Sequence, residues 1–207
     1  MATIAENIQT LRSIKSDIKN AITDKGGNIG NDFKTYAQAI TDLPSGGGNE
    51  DLINLIERDV TTLNIPDGTT KIGDYAVYEY RSLTEVTIPN TVTSIGAYAF
   101  DSCRELTDVT IPETVTTIGD SAFRECHSFR NVIIPSSVTN IDTWAFYQCA
   151  YLNSITVLAA TPPTLGSNTF SVTNSCPIYV PAESVDAYKA ATNWSAYADR
   201  IQAIPTV

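Results

Sequence analysis

The chain has 207 residues, 43% of them hydrophobic, and a formal net charge of −10. That is room for one good-sized domain plus an accessory segment, and no apolar run approaches the roughly 18 residues that a membrane helix needs. An acidic surface repels phosphate backbones, which argues against nucleic acid as a partner. The charge is unevenly placed: residues 1 to 48 are balanced, so the whole deficit falls on the remainder.

Residues 1–44 read as helical. Ile4, Ile8, Leu11, Ile14, Ile18 and Ile22 recur at threes and fours on one face, and Gly26-Gly27 supplies a stop. A second, shorter helix follows from Asn31, with Phe33, Tyr36, Ala37 and Ile40. Two such helices are too small for a core of their own. Either they fold on each other or on the larger domain after residue 49, or Ile4, Leu11 and Ile18, a heptad apart, form a seam with other copies. The glycine-rich linker over 45–49 favours the seam, and with it a homodimer or homotrimer. The opening MATIAENIQTLRSIK lacks the apolar stretch of a secretory signal, so a native chain beginning there is expected not to be exported by that route.

An apolar N-terminal cap is expected over 50–62. From Leu63 to Ile155 the chain then repeats itself four times in 23 residues: LNIPDGTTKIGDYAVYEYRSLTE, VTIPNTVTSIGAYAFDSCRELTD, VTIPETVTTIGDSAFRECHSFRN and VIIPSSVTNIDTWAFYQCAYLNS. A short fixed period marks a solenoid, whose coils bury their apolar sides only by stacking. The columns of Val86, Ile88, Val92, Ile95, Ala99, Phe100, Cys103 and Leu106 are the inward ones. Val86-Thr87-Ile88 alternates as a strand that Pro89 ends. Val92 to Ile95 is a second short strand, and Gly96 suits a corner of positive φ, with Asp142 in its slot in the fourth copy. Ala99-Phe100 and their equivalents suit a helical turn. Thr161-Pro162-Pro163 breaks the period, and 156–207 is expected to form the C-terminal cap, with a strand at Ile178 to Pro181 and a helix from Ala182 to Thr192 whose Val185, Tyr188 and Ala191 face inward. Trp194, Tyr197 and Ile201 complete that cap.

The run I-P-x-x-V-T-x-I-G-x-x-A-F-x-x-C-x-x-L-x-x-V resembles the BspA-like, Treponema-type class of leucine-rich repeat, and YVPAESVDAYKAATNWSAYADRI is similar to the cap often found after it. The resemblance implies a β-rich, right-handed leucine-rich-repeat coil of four repeats, a helical cap and a surface protein that binds host tissue or other cells without a shared catalytic site. The segment IKNAITDKGGNIGNDFKTYAQAI resembles short helical modules of bacteriophage tail and fibre proteins. Together these give the expected function: a non-enzymatic virion fibre or decoration protein, alongside other virion proteins, whose repeats bind bacterial-surface or mucosal glycans or proteins. The alternative is a bacterial cell-surface or secreted adhesin.

Cys103, Cys126 and Cys149 share one column, which Tyr80 fills in the first copy, so the slot asks for bulk. Buried free thiols are expected, a disulfide between neighbours being the other possibility. His127 is the single histidine, and no spacing marks a metal site, a nucleophile or a phosphate loop, so neither metal nor cofactor is expected. Outward columns hold Glu85, Asp108, Asn131 and Ser154; Thr87, Thr110, Ile133 and Thr156; and Thr70, Thr93, Thr116 and Thr139. Strand preference accounts for threonine there, and a ligand-facing row is the alternative. The candidate binding residues are the aromatics of the outer turns, Tyr75, Tyr78, Tyr98, Trp144, Tyr147 and Tyr151. They bring apolar area with a polar tip, and the fourth repeat, with three of them, is the expected focus.

Overall fold

The computed structural model describes residues 61–173 and 175–206. The helical segment 1–44 with its seam from Ile4 to Ile22, the linker 45–49, and the cap over 50–62 save its last two residues lie outside the described residues.

Two stacks of parallel strands run through the repeats. In the first stack, β1 (Thr62–Asn64), β3 (Glu85–Thr87) and β5 (Asp108–Val109) form one sheet. A second sheet carries the same column onward as β7 (Asn131–Ile134), β9 (Ser154–Val157), β11 (Ile178–Val180) and β12 (Ile201–Ala203). The other stack is β2 (Lys71–Ile72), β4 (Ser94–Ile95), β6 (Thr117–Ile118), β8 (Asn140–Ile141) and β10 (Thr164–Leu165). Strand partners stand one repeat apart, as in Val86↔Val109 and Ile118↔Ile141. Alternation sets which side is inward: Val86 is buried while Glu85 and Thr87 are exposed. The column Pro66, Pro89, Pro112 and Pro135 follows the first strands of the four repeats and lacks an N–H, and its carbonyl closes the turn, Pro89 accepting from Val92 N–H at 3.1 Å and Pro112 from Val115 at 3.0 Å.

The Ala-Phe segment is not a helical turn. It is a run of tight turns in which non-glycine residues take positive φ in pairs: Tyr75 and Glu79, Tyr98 and Ser102, Ser121 and Glu125, Trp144 and Gln148, Asn168 and Val172. This conformation costs an L-residue about 1–2 kcal/mol. It also releases N–H groups to the next coil: Tyr75 donates to Ala97 O at 2.9 Å, Tyr98 to Asp120 O at 2.8 Å and Ser121 to Thr143 O at 2.9 Å. A helical turn spends its N–H groups internally, whereas stacked coils need a third ladder, and buried backbone donors must be satisfied somewhere. Inside the turns, Phe100, Phe123, Phe146 and Phe170 stack with centroids 5.2, 5.3 and 5.7 Å apart.

The ladders also continue past Ile155, where the cap was expected to begin. β11 pairs with β9 as Ile178↔Ile155, and β10 with β8 as Leu165↔Ile141. Thr161-Pro162-Pro163 therefore adds a residue to a fifth coil without interrupting the stack. Thr173 takes the cysteine slot of that coil and Cys176 the leucine slot, Cys176 N–H donating to Thr173 O at 3.3 Å as Leu152 does to Cys149 O at 3.3 Å.

The glycine corner also differs from expectation. Gly68 alone among the described glycines has positive φ, at 90°. What Gly96, Gly119 and Gly166 provide is clearance: a Cβ on Gly119 would lie 2.7 Å from the Gly96 carbonyl carbon, and one on Gly166 would strike the Thr143 nitrogen. Asp142 is likewise not at positive φ, and its carboxylate accepts from the Thr143 N–H at 2.8 Å.

Beyond β11 come a 3-10 turn (Ala182–Ser184), helix α1 (Val185–Ala190) and a 3-10 stretch (Trp194–Arg200). The helix is shorter than expected because Ala191 leaves it for extended backbone, and of the three inward candidates only Tyr188 is buried. Trp194, Tyr197 and Ile201 are buried. Side chains here supply hydrogen bonds that a further coil would otherwise make. Ser184 Oγ donates to Ala160 O at 2.7 Å, Tyr188 OH to Ala159 O at 2.7 Å, Asn193 Nδ2 to Leu165 O at 2.6 Å and Trp194 Nε1 to Pro163 O at 2.8 Å.

Candidate recognition surface

The six outer aromatics do not form one cluster. Tyr75 and Tyr98 hold the same slot in successive coils, and their rings stack at 4.8 Å and 2°. Tyr78 meets Tyr75 edge-on at 5.7 Å. Over Tyr98 lies the Arg124 guanidinium, 5.9 Å from the ring centre. Arg124 is in turn gripped by the buried carboxylate of Asp101, through Nη2 at 2.9 Å and Nε at 3.2 Å, with Ser102 Oγ donating to the same group at 3.2 Å. Burial pushes the Asp101 carboxyl above its usual range, and the pairing with Arg124 pulls it partly back. Tyr98 thus has Tyr75 stacked on it and Arg124 over it, so its ring area is spent within the fold. Tyr151 is exposed but partnered too, with Arg130 5.3 Å from its ring centre.

Trp144 and Tyr147 stand apart. Trp144 is 40% exposed and Tyr147 half-buried, and among the described residues no other ring and no cation lies over either. The reason lies in the column: the slot runs Tyr75, Tyr98, Ser121, Trp144, Asn168, so the coils on either side of Trp144 have no ring to stack on it. Its backbone is fixed, with φ at 55° and N–H donating to Ser167 O at 3.1 Å. Phe146 N–H to Thr169 O at 3.0 Å and Gln148 N–H to Ser171 O at 3.1 Å lay the fifth coil beside it. Trp144, Tyr147 and Gln148 therefore share a turn face with Asn168, Ser171 and Val172. The last three were missed because the fifth coil was read as cap; the strand pattern at Thr164–Leu165 and the Thr169-Phe170 pair were the signals that pointed to it.

The other candidate features have structural explanations. Thr93, Thr116 and Thr139 each donate from Oγ1 to the carbonyl of the threonine one coil back, at 3.0, 3.2 and 3.3 Å, so this column is a stacking device. Thr91, Thr114 and Ser137 make a second such column at 2.7 Å each. Glu85, Thr87, Asp108 and Thr110 remain exposed on the first-strand face, while Ser154 Oγ donates to Asn131 Oδ1 at 2.9 Å.

The cysteines are free and buried. Cys103, Cys126 and Cys149 donate from Sγ to Val77 O, Phe100 O and Phe123 O at 3.1, 3.2 and 3.1 Å. Burial pushes Cys103 up to about 12 and Cys126 and Cys149 well above the ordinary thiol range. His127 is part-exposed beside Cys126. Among the described residues no three acidic, histidine or cysteine side chains are grouped to hold a metal ion, and no helix is long and apolar enough to cross a membrane.

The chain matches the BspA type leucine rich repeat region, in 6 copies over residues 56–184, against the four read from the sequence. Among solved structures it is similar to a leucine rich cell surface protein from Faecalibacterium prausnitzii A2-165, at 34% identity and a TM-score of 0.48. That match covers 65% of this chain and 41% of the other. A leucine-rich repeat protein from Bacteroides ovatus ATCC 8483 matches at 24% identity and TM-score 0.43, over 61% of this chain and 44% of that one. The T. pallidum leucine rich repeat protein matches at 21% and 0.46, over 56% and 78%. This chain thus spans under half the length of the first two structures it resembles. No curated protein matches it. Since the repeat match runs through well over half of its residues, the chain belongs to the BspA-type leucine-rich repeat family.

Proposed function

We infer that this is a non-enzymatic recognition protein of a bacterial cell surface, acting as an adhesin through the turn face of its fourth and fifth coils. The observation that carries this reading is Trp144: a large aromatic side chain, 40% exposed, on a backbone held by inter-coil hydrogen bonds and, among the described residues, with no ring or cation stacked upon it. Large rigid rings presented on an ordered scaffold are the usual anchors of recognition surfaces, because they bring contact area at low entropic cost. The family match supports the cell-surface reading, which stood as the alternative, over the virion fibre; neither the fold nor the family match lends the virion reading support. An acidic chain also disfavours nucleic acid.

The test is adhesion of the full chain to mucin-coated and bacterium-coated surfaces. Trp144→Ala with Tyr147→Ala is expected to abolish adhesion while Tyr75→Ala leaves it intact. Adhesion unchanged in the double variant would sink the proposed face. Antibody labelling of intact native cells tests the location, and signal appearing only after lysis would count against display.

A further inference from the structure

From Thr143 to Ala182 the chain contains no Asp, Glu, Lys, Arg or His, although its net charge is −10. The run contributes the outer turns of the fourth and fifth coils, between Asp142 and the C-terminal segment. The equivalent turns of the first three coils all bear charge: Asp74 and Glu79, then Asp101 and Arg104, then Asp120, Arg124 and Glu125. Of the six large apolar side chains exposed among the described residues, Trp144, Tyr151, Leu158 and Val172 fall within the neutral run, and Tyr75 and Ile133 lie outside it.

Most charges at the border are occupied, and among the described residues the one guanidinium that lies over an exposed ring of the run is Arg130, 5.3 Å from the centre of Tyr151 at the far end of the turn from Trp144. Arg124 is held by Asp101 at 2.9 Å, and Glu125 pairs with Arg104 at 3.1 Å. Arg200 donates to Cys176 O, Phe170 O and Thr173 Oγ1 at 2.8, 3.2 and 2.9 Å. The Asp142 carboxylate accepts from Thr143 N–H. One further oddity sits within the patch. Val172 is β-branched, 58% exposed and at φ 58°. A β-branched residue in that conformation is strained, and no burial offsets it here. The ladder imposes this conformation in every coil, and what sets the fifth apart is that a bulky, exposed side chain occupies it.

We propose that this face binds a neutral glycan, one without sialic acid, uronate or sulfate. The proposal rests on the recognition reading above and names its ligand class. Trp144 offers an indole on which the C–H face of a pyranose can lie, with Tyr147 beside it. Gln148 and Asn168 supply amide groups that donate and accept, matching sugar hydroxyls, with Ser171 Oγ donating to Asn168 Oδ1 at 3.3 Å and so orienting that amide. Among the described residues no cation lies over Trp144 or Tyr147 to compensate an anion, and the acidic remainder of the protein repels one. A protein partner is less well matched, because the side chains around Trp144 on the turn face are mostly polar, Gln148, Asn168 and Ser171, where a protein interface has an apolar centre.

The experiment presents full-length protein to an array of neutral and of sialylated or sulfated glycans, then titrates the best-bound oligosaccharide in 50 and 500 mM NaCl. Binding to neutral glycans only is expected, with Kd changing less than about twofold with salt, since no charges are paired. Trp144→Ala is expected to weaken it by at least about tenfold. Trp144→Tyr is expected to restore most of it, because tyrosine already occupies this slot and conformation at Tyr75 and Tyr98; an unchanged melting temperature in both variants shows that folding is not the cause. Selective binding to anionic glycans with steep salt dependence overturns the ligand class and leaves the recognition reading standing. So does a silent array with Trp144-dependent adhesion that protease treatment of the target cells removes. A silent array together with no adhesion to any surface overturns both.

Discussion

A thiol stacked in a solenoid is chemically a different group from one in water. Cys103, Cys126 and Cys149 are each fully buried, each donating to a carbonyl 26 residues back in the coil before, and none has the exposure or the cationic neighbour that makes a cysteine reactive. We predict that they do not react with Ellman's reagent at pH 8 in the native protein and react promptly once it is unfolded. Burial also sets a pH dependence. A thiol that ionises at 9.0 in the unfolded chain does so only at about 12 at Cys103. Above pH 9 unfolding therefore releases protons, and each such thiol subtracts about 1.4 kcal/mol of stability per pH unit. The melting temperature should fall above pH 9, less steeply in Cys126→Ala, and a fall of equal slope in that variant would refute the attribution. The column's tolerance of Tyr80 made the packing role legible in the sequence. The glycine column was misread for an equally local reason. Conformational freedom and lack of a Cβ call for the same residue, and only the distance to the neighbouring coil separates them. Gly119→Ala should cost about 1–3 kcal/mol in urea denaturation, because the added methyl meets the backbone of Gly96.

The turns are the element that sequence reasoning handled least well. Tyrosine, serine, glutamate and tryptophan have no preference for positive φ, so no propensity argument leads to a left-handed pair in every coil. The conformation is imposed by the ladder that the N–H groups of these residues make with the next coil. The strands, by contrast, were legible because alternation and proline act within a few residues. The phenylalanine stack was legible as a column, although not as part of this backbone. Phe123 has a stacked ring on both sides, so Phe123→Ala should cost about 3–5 kcal/mol, with Tyr75→Ala below about 1.5 kcal/mol because its ring is 47% exposed. Similar losses from the two variants would refute the stack as the core of the turn. The candidate site was half legible. The aromatic positions could be read off directly, but which of them are already stacked depends on what occupies the same slot one coil away, and the partners of Trp144 lay in a coil hidden by one inserted residue.

At the scale of the whole molecule, a stack of parallel strands has to end, and an open end is a template for another chain. Here the C-terminal segment ends it with side-chain donors from Ser184, Tyr188, Asn193 and Trp194 directed at backbone carbonyls of the last coil. Trp194→Phe preserves most of the packing and removes one donor. It should cost about 1–3 kcal/mol, the penalty of an unsatisfied buried carbonyl. Deleting the chain after Ala182 uncovers the edge altogether, and light scattering should then show self-association beyond that of the intact protein.

The inter-coil hydrogen bonds, made in three columns at a spacing of about one repeat, also determine how the protein yields to force. They point along the stack, so tension applied between its ends loads the outermost coil's bonds one after another, as a zipper is loaded, and leaves the inner coils untouched until their turn. Each coil of 23 residues that comes away lengthens the tether by roughly 70 Å. A bacterium held by such a molecule in flowing fluid would be let out in steps, with the bound end still attached.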